Sequence, residues 1–395
     1  MKRILLIVVL AQFLCTSLWF AGNAVLSDLV KGIDTSSGFL AQLTSAVQLG
    51  FIFGTLVFAI FTISDRFSPS KVFFICAVIA ALCNLGLSMS DDSTFTLLLF
   101  RFLTGFFLAG IYPVGMKIAS DYFEKGLGKS LGFLVGALVL GTAFPHLLKS
   151  ASFSFSWKYV IYITSSLALV GGGLIFLLVP DGPFRKQGQK LKWSSFFTSF
   201  RNQDFKAAAF GYFGHMWELY TFWAFVPLML MQYQQYHKLE IFTVSLFSFL
   251  IIASGSIACI LGGFLSQSFG VKKIATLALS LSGLCCILSP LAFLYTNLSV
   301  FISFLFFWGM VVVADSPLFS TLVAQNAPQE TRGTSLTIVN CIGFTITIIS
   351  IQSLQLVSAF ILQPYGYMVL AFGPMLGLLA LIHKTKKVLP KRKTL

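Results

Sequence analysis

Charge is what this chain has least of. Only 13 Asp and Glu occur in 395 residues, and charged residues of both signs make up 10%. An ordinary soluble domain carries about 25%, so a water-exposed globular enzyme is excluded. Metal-ligand spacing is lacking as well: four histidines, at 146, 215, 237 and 383, lie scattered along the chain. No glycine-rich phosphate loop ending in Lys-Ser/Thr occurs, so neither a nucleotide-hydrolysis site nor a bound cofactor is expected. The connectors lack cysteine. All seven cysteines (15, 76, 83, 259, 285, 286 and 341) fall inside apolar stretches, which excludes a disulfide framework and makes them small buried hydrophobes.

What fills the sequence instead is hydrocarbon: 57% hydrophobic residues, 44 of them Phe, and a mean hydropathy of +0.88. Low hydrophobicity marks disordered chains, so disorder is excluded by the same composition. Twelve apolar stretches are expected at 4–26, 39–63, 72–90, 95–120, 130–149, 157–179, 206–231, 241–265, 274–294, 299–325, 334–361 and 364–382. Most are long enough to cross about 30 Å of hydrocarbon at 1.5 Å per residue. The run after Met1-Lys2-Arg3 continues to about Leu26, beyond the ~7–15 residues of a cleavable signal, and reads as the first span.

The net charge of +14 invites a nucleic-acid reading, and the placement of the charges answers it. With an even number of spans, 21 Lys and Arg fall on the side of the termini and 4 on the other. Basic residues concentrate on the cytoplasmic side of membrane proteins, so both termini are expected in the cytoplasm and the spans in the inner or plasma membrane. The basicity is then a topology signal, and no nucleic-acid partner is expected.

One connector is longer than the others. Residues 180–205 divide the chain into an N-terminal bundle (1–179) and a C-terminal bundle (206–382), followed by a basic tail (383–395). Two segments repeat across the halves. GFFLAGIYPVG at 105–115 matches GMVVVADSPLF at 309–319, pairing Gly105 with Gly309 and Pro113 with Pro317. FTISDRFSPSK at 61–71 matches GFLSQSFGVKK at 263–273 at nearly the same offset. Two homologous six-helix halves follow.

Taken together, these residues resemble the major facilitator superfamily of secondary transporters over essentially the whole chain. Asp65, Arg66 and Lys71 resemble the charges of its cytoplasmic loop signature. Arg101, Gly105 and Gly110 resemble its Arg-x-x-x-Gly-x-x-x-x-Gly pattern in the fourth span. Phe61 and Ser68 depart from the usual glycines, and Gln267 replaces the acid in the second-half loop. The fifth span has Gly132, Gly136, Gly141 and Pro145 but lacks the adjacent Gly-Pro that resembles proton-driven drug exporters. The resemblance implies an all-α membrane protein of twelve spans in two pseudo-symmetric bundles, with spans one, four, seven and ten lining a central cavity. It also implies alternating-access transport of a small molecule, not enzymatic catalysis, by a monomer embedded in lipid.

Ionisable residues deep in a span are costly and become functional candidates. Glu218 and Asp315 lie near the middle of spans seven and ten, and His215 is the i,i+3 neighbour of Glu218. These three are the expected proton-coupling residues, with His215 relaying to Glu218; the competing readings are a Glu218–His215 or Glu218–Arg pair that fixes helix packing and, for Asp315, a contact for a cationic substrate group or a partner to a polar residue on span eleven. Arg101 either faces the cavity and attracts an anionic substrate or snorkels outward. Lys117 is expected to reach Asp121 or Glu124. Trp19, Asn23, Tyr112, Trp217, Tyr220 and Trp223 are candidates for a substrate-binding wall, against packing or interface anchoring. The resemblance makes Asp65 and Arg66 gating charges, with Asp121 and the segment near Gly333 as expected partners. Proton-coupled uptake of a small polar or anionic solute is the leading expectation. Proton-driven efflux of an amphipathic compound is the alternative, followed by a membrane-embedded enzyme or a non-transporting sensor.

Overall fold

The structure, a computed structural model, describes residues 2–31, 38–89, 93–123, 127–151, 156–185, 199–239, 243–328, 332–361 and 364–382. Among these residues there is no β-strand. Ten helices are long and apolar enough to cross a bilayer, and they coincide with ten of the expected spans, among them Phe39–Ile60, Thr94–Tyr122, Leu298–Asn326 and Arg332–Phe360. The other two take different forms. Span seven is a single 35-residue helix, Gln203–His237, whose apolar character is diluted by polar residues along its length. Span one is Lys2–Thr16 followed by a turn at 17–20 and two short helices, Ala21–Ala24 and Leu26–Leu29.

Spans four and ten break at equivalent points, as the repeat between 105–115 and 309–319 implies. Span four runs Thr94–Leu108 and resumes at Tyr112–Tyr122; span ten runs Leu298–Ala314 and resumes at Ser316–Asn326. Pro113 and Pro317 each stand within the first two residues of the second piece, where a missing N–H costs nothing. The glycines of the fourth span serve close packing. A Cβ on Gly105 would fall onto the Val47 carbonyl of span two, and one on Gly50 onto the Phe102 carbonyl of span four.

The two bundles meet along two seams, span five (Leu127–Ala151) against span eight (Val244–Phe269), and span two against span eleven. Of the 180–205 connector, residues 186–198 lie outside the described residues, as does the 383–395 tail. The first part of the connector is tied to the N-terminal bundle. Ser70 donates to the Val179 carbonyl at 2.6 Å, Tyr122 to that of Pro180 at 2.6 Å, and Phe184 N–H to that of Asp121 at 3.0 Å.

Candidate functional site: a one-sided cavity between the bundles

Polar and aromatic residues from spans two, four, five, seven, ten and eleven enclose a cavity of about 960 Å³ between the bundles. Its mouth holds Asp65, Lys117, Asp121, Phe184 and Arg332, the side that carries the 63–66 loop and the connector. The opposite end is shut. Trp19 stacks on Tyr220 and Phe344 with ring centroids 5.7 and 5.8 Å apart, and Phe51 lies 4.6 Å from Phe344. These four rings come from spans one, seven, eleven and two, so both bundles contribute to the plug. Beyond it, Gln352 of span eleven donates to Ser45 of span two at 2.9 Å, and Asn23 donates to Thr44 at 2.7 Å. At the outer rim, Asp28 lies 2.6 Å from Lys31 and also pairs with Lys149. Desolvation raises the pKa of its carboxyl, but the two lysines outweigh it and hold the group below its ordinary value.

The residues expected to bind substrate divide into two groups. Tyr112, Tyr220 and Trp223 line the cavity. Trp19 and Asn23 belong to the plug and the seal behind it. Trp217 faces span twelve, where its indole donates to the Val369 carbonyl at 3.0 Å and packs on Phe372.

Arg101 neither faces the cavity nor snorkels. It is fully buried, and its guanidinium donates to the Leu18 carbonyl at 3.0 Å and to that of Trp19. The break in span one leaves the Leu18 carbonyl with only a long bond from Ala21 N–H at 3.5 Å, and a charged fork is the donor that can reach both it and the Trp19 carbonyl. Gly22 makes room for it: a Cβ there would sit 3.3 Å from Arg101 Cδ. The cation is therefore spent on backbone and offers nothing to a solute.

The acids also fall elsewhere than expected. Glu218 and His215 are 1% exposed and Asp315 is 0% exposed, and none of the three lies in the cavity wall. His215 is not bonded to Glu218. Side chains at i and i+3 diverge by about 60° around a helix, and the two point to different neighbours. Glu218 turns towards spans nine and ten, where Trp308 Nε1 donates to Oε1 at 2.6 Å and Ser282 Oγ to Oε2 at 2.9 Å. His215 Nδ1 instead lies 2.8 Å from Asp315 Oδ1, at the break in span ten. This pair sits one layer behind the wall, because Tyr212, Met216, Val313 and Ser316, beside it in sequence, all line the cavity.

At the mouth, Lys117 bridges Asp65 at 3.0 Å and Asp121 at 3.4 Å; Glu124, its other expected partner, lies outside the described residues. Arg66 is exposed. The loop is tied to span four while Gly333, at the start of span eleven, has open space beside it, as a cavity open on this side requires. Arg185 is a component that sequence reasoning missed. It donates to the Asp65 and Phe67 carbonyls at 2.9 and 2.8 Å and pairs with Asp181 at 2.6 Å, clamping the loop. It lies in a run of basic residues that reads as topological charge, so nothing local marks it. Part-exposed ion pairs contribute at most about 1 kcal/mol, so Asp65→Asn is expected to leave membrane insertion and melting temperature unchanged. It is expected to slow turnover several-fold, because the carboxylate that Lys117 holds while the mouth is open is expected to change partners when the mouth closes. Unchanged turnover in reconstituted vesicles would remove Asp65 from the gate.

The family profile of the Major Facilitator Superfamily matches residues 8–351, and the chain belongs to that superfamily. It is 26% identical over 161 residues to a bicyclomycin resistance protein homolog of Haemophilus influenzae, covering 39% of this chain and 38% of that protein. It is 28% identical over 150 residues to a benzoate transport protein of Acinetobacter baylyi, covering 37% of this chain and 30% of that one. The chain thus spans well under half the length of the curated relatives it matches. Among solved structures it is similar to a bacterial homolog of the human lysosomal transporter Spinster, crystallised inward-facing and unoccupied. The TM-score is 0.66 at 16% identity, covering 96% of this chain and 94% of that one, a likeness of fold.

Proposed function

We propose that this chain is a proton-driven transporter of a small uncharged, amphipathic solute, working as a monomer by alternating access between its two six-helix halves, 1–179 and 206–382. The observation that carries this reading is the distribution of charge in the cavity. Lys117, Asp65, Asp121 and Arg332 stand at the mouth, while the deeper wall is built from side chains such as Tyr112, Tyr212, Met216, Leu219, Trp223 and Phe344. A buried anionic substrate needs a paired cation, and the cation that favoured such a substrate, Arg101, is bound to backbone. The amphipathic alternative therefore has the better support. With the termini in the cytoplasm, the cavity faces inward and the aromatic plug closes the outer side.

Reading the coupling from this geometry, the proton site is the His215–Asp315 pair. It lies directly behind the wall and at the hinge of span ten, so a change in its charge acts on the segment that borders the solute. Glu218, satisfied by two neutral donors inside the C-terminal bundle, is then a packing residue.

The test is reconstitution into vesicles with a pH gradient of either polarity and three probes: chloramphenicol (neutral), benzoate (anionic) and ethidium (cationic). Saturable, gradient-driven movement of chloramphenicol is expected, with benzoate and ethidium at background. Saturable, gradient-driven transport of benzoate by the wild type would overturn the uncharged-solute reading.

A further inference from the structure

Within the apolar wall, one polar pair has hydrogen-bonding capacity left over. Tyr212 of span seven donates its hydroxyl to Asn340 Oδ1 of span eleven at 2.5 Å, and both residues line the cavity. That bond consumes the phenolic hydrogen and fixes which way the amide points. What remains is the Asn340 amide nitrogen, which has no hydrogen-bond partner among the described residues, and the lone pairs of the Tyr212 oxygen. The cavity therefore offers an N–H donor and an oxygen acceptor side by side.

The pair is held rigidly. Gly343, three residues beyond Asn340, lets span eleven close on the Tyr212 ring. A Cβ there would stand 2.6 Å from Tyr212 Cε1 and 2.9 Å from Met216 Cγ. The nearest charge along span eleven is Arg332, eight residues or about 12 Å away at helical rise. Towards the plug the wall continues through Leu219, Tyr220 and Phe344, an apolar and aromatic surface.

We propose that Tyr212 and Asn340 are the specificity-determining residues of this transporter. In this assignment they recognise a solute that carries an amide-like group, a carbonyl oxygen beside an N–H as in a lactam, attached to an apolar or aromatic body. The carbonyl accepts from Asn340 Nδ2, the N–H donates to Tyr212 Oη, and the body lies against Leu219, Tyr220 and Phe344. A site built to hydrogen-bond a group discriminates strongly against an analogue that lacks it, because the bound analogue covers the site's polar atoms and leaves them unpaired. The assignment rests on the uncharged-solute reading above.

The experiment measures binding to the full-length protein in detergent by isothermal titration with three probes: 3,4-dihydroquinolin-2(1H)-one, its N-methyl derivative, and benzoate. The wild type is expected to bind the N–H lactam about tenfold more tightly than the N-methyl compound. Tyr212→Phe, which keeps the ring against Gly343 and removes the acceptor of the N–H, is expected to bring that ratio close to one, whereas Asn340→Leu, which keeps the volume and removes the donor to the carbonyl, is expected to weaken both lactams several-fold and to leave the ratio. A cooperative thermal melt in detergent shows that both variants are folded. A wild type that binds both lactams equally, or neither, overturns the proposal, as does a ratio that survives in Tyr212→Phe or lactam affinity that is unchanged in Asn340→Leu. Benzoate binding more tightly than either lactam would instead overturn the uncharged-solute reading.

Discussion

Replacing Arg101 with leucine is expected to destabilise the protein by about 2–5 kcal/mol and to loosen the outer half of span one. Leu18 and Trp19 each accept a hydrogen bond from the guanidinium in a fully buried setting. Bonds to a charged donor contribute about 1.5–3 kcal/mol, and an orphaned buried carbonyl carries the desolvation penalty as well. Leucine supplies no donor, and the turn at 17–20 has no regular helical pattern to fall back on. Because Trp19 is part of the plug, the damage is conformational as well as energetic. Amide hydrogen exchange across residues 17–24 is expected to accelerate, and the detergent melting temperature to fall by several degrees. Arg101→Lys should lie between wild type and leucine, since an ammonium lacks the planar fork that reaches two carbonyls at once. If the leucine variant melts and exchanges like wild type, Arg101 is not the element that holds the break.

The second large effect separates the two buried acids. Asp315→Asn is expected to abolish gradient-driven accumulation, a loss of about 100-fold or more, while solute exchange between equal concentrations on the two sides persists. An amide matches the protonated acid in shape and cannot give up the proton, so the cycle runs uncoupled. Glu218→Gln is expected to stay within about threefold of wild type. Trp308 can still donate to the amide oxygen, and Ser282, which also lies 3.1 Å from the Leu279 carbonyl, can turn its hydrogen there and accept from the amide. The opposite result, coupling lost in Glu218→Gln and kept in Asp315→Asn, would move the proton site to Glu218. Coupling retained in both variants would exclude the pair as well as Glu218.

Single residues show how far the sequence can be read. The break in span ten was legible from Pro317 and its repeat partner Pro113, because proline acts on its own helix. The partner of His215 was not. Helical periodicity offered Glu218 three residues away, whereas the contact made is with Asp315, one hundred residues further on and in another helix. Arg101 was legible as an unusual buried cation. Its role depended on the break in span one, which no proline announces and which only packing reveals. Tyr212 and Asn340 carry no mark in sequence, being neutral residues 128 positions apart.

By itself the sequence determined the all-helical class, the order of ten apolar spans and the family. Hydrophobic length, charge asymmetry and proline position are properties of local chain, summed along it. Only the tertiary structure decided which polar groups face the cavity and which are consumed elsewhere. In a bundle with almost no charge, that choice turns on helix rotation and on the nearest unsatisfied backbone carbonyl, and both are set by neighbours remote in the chain.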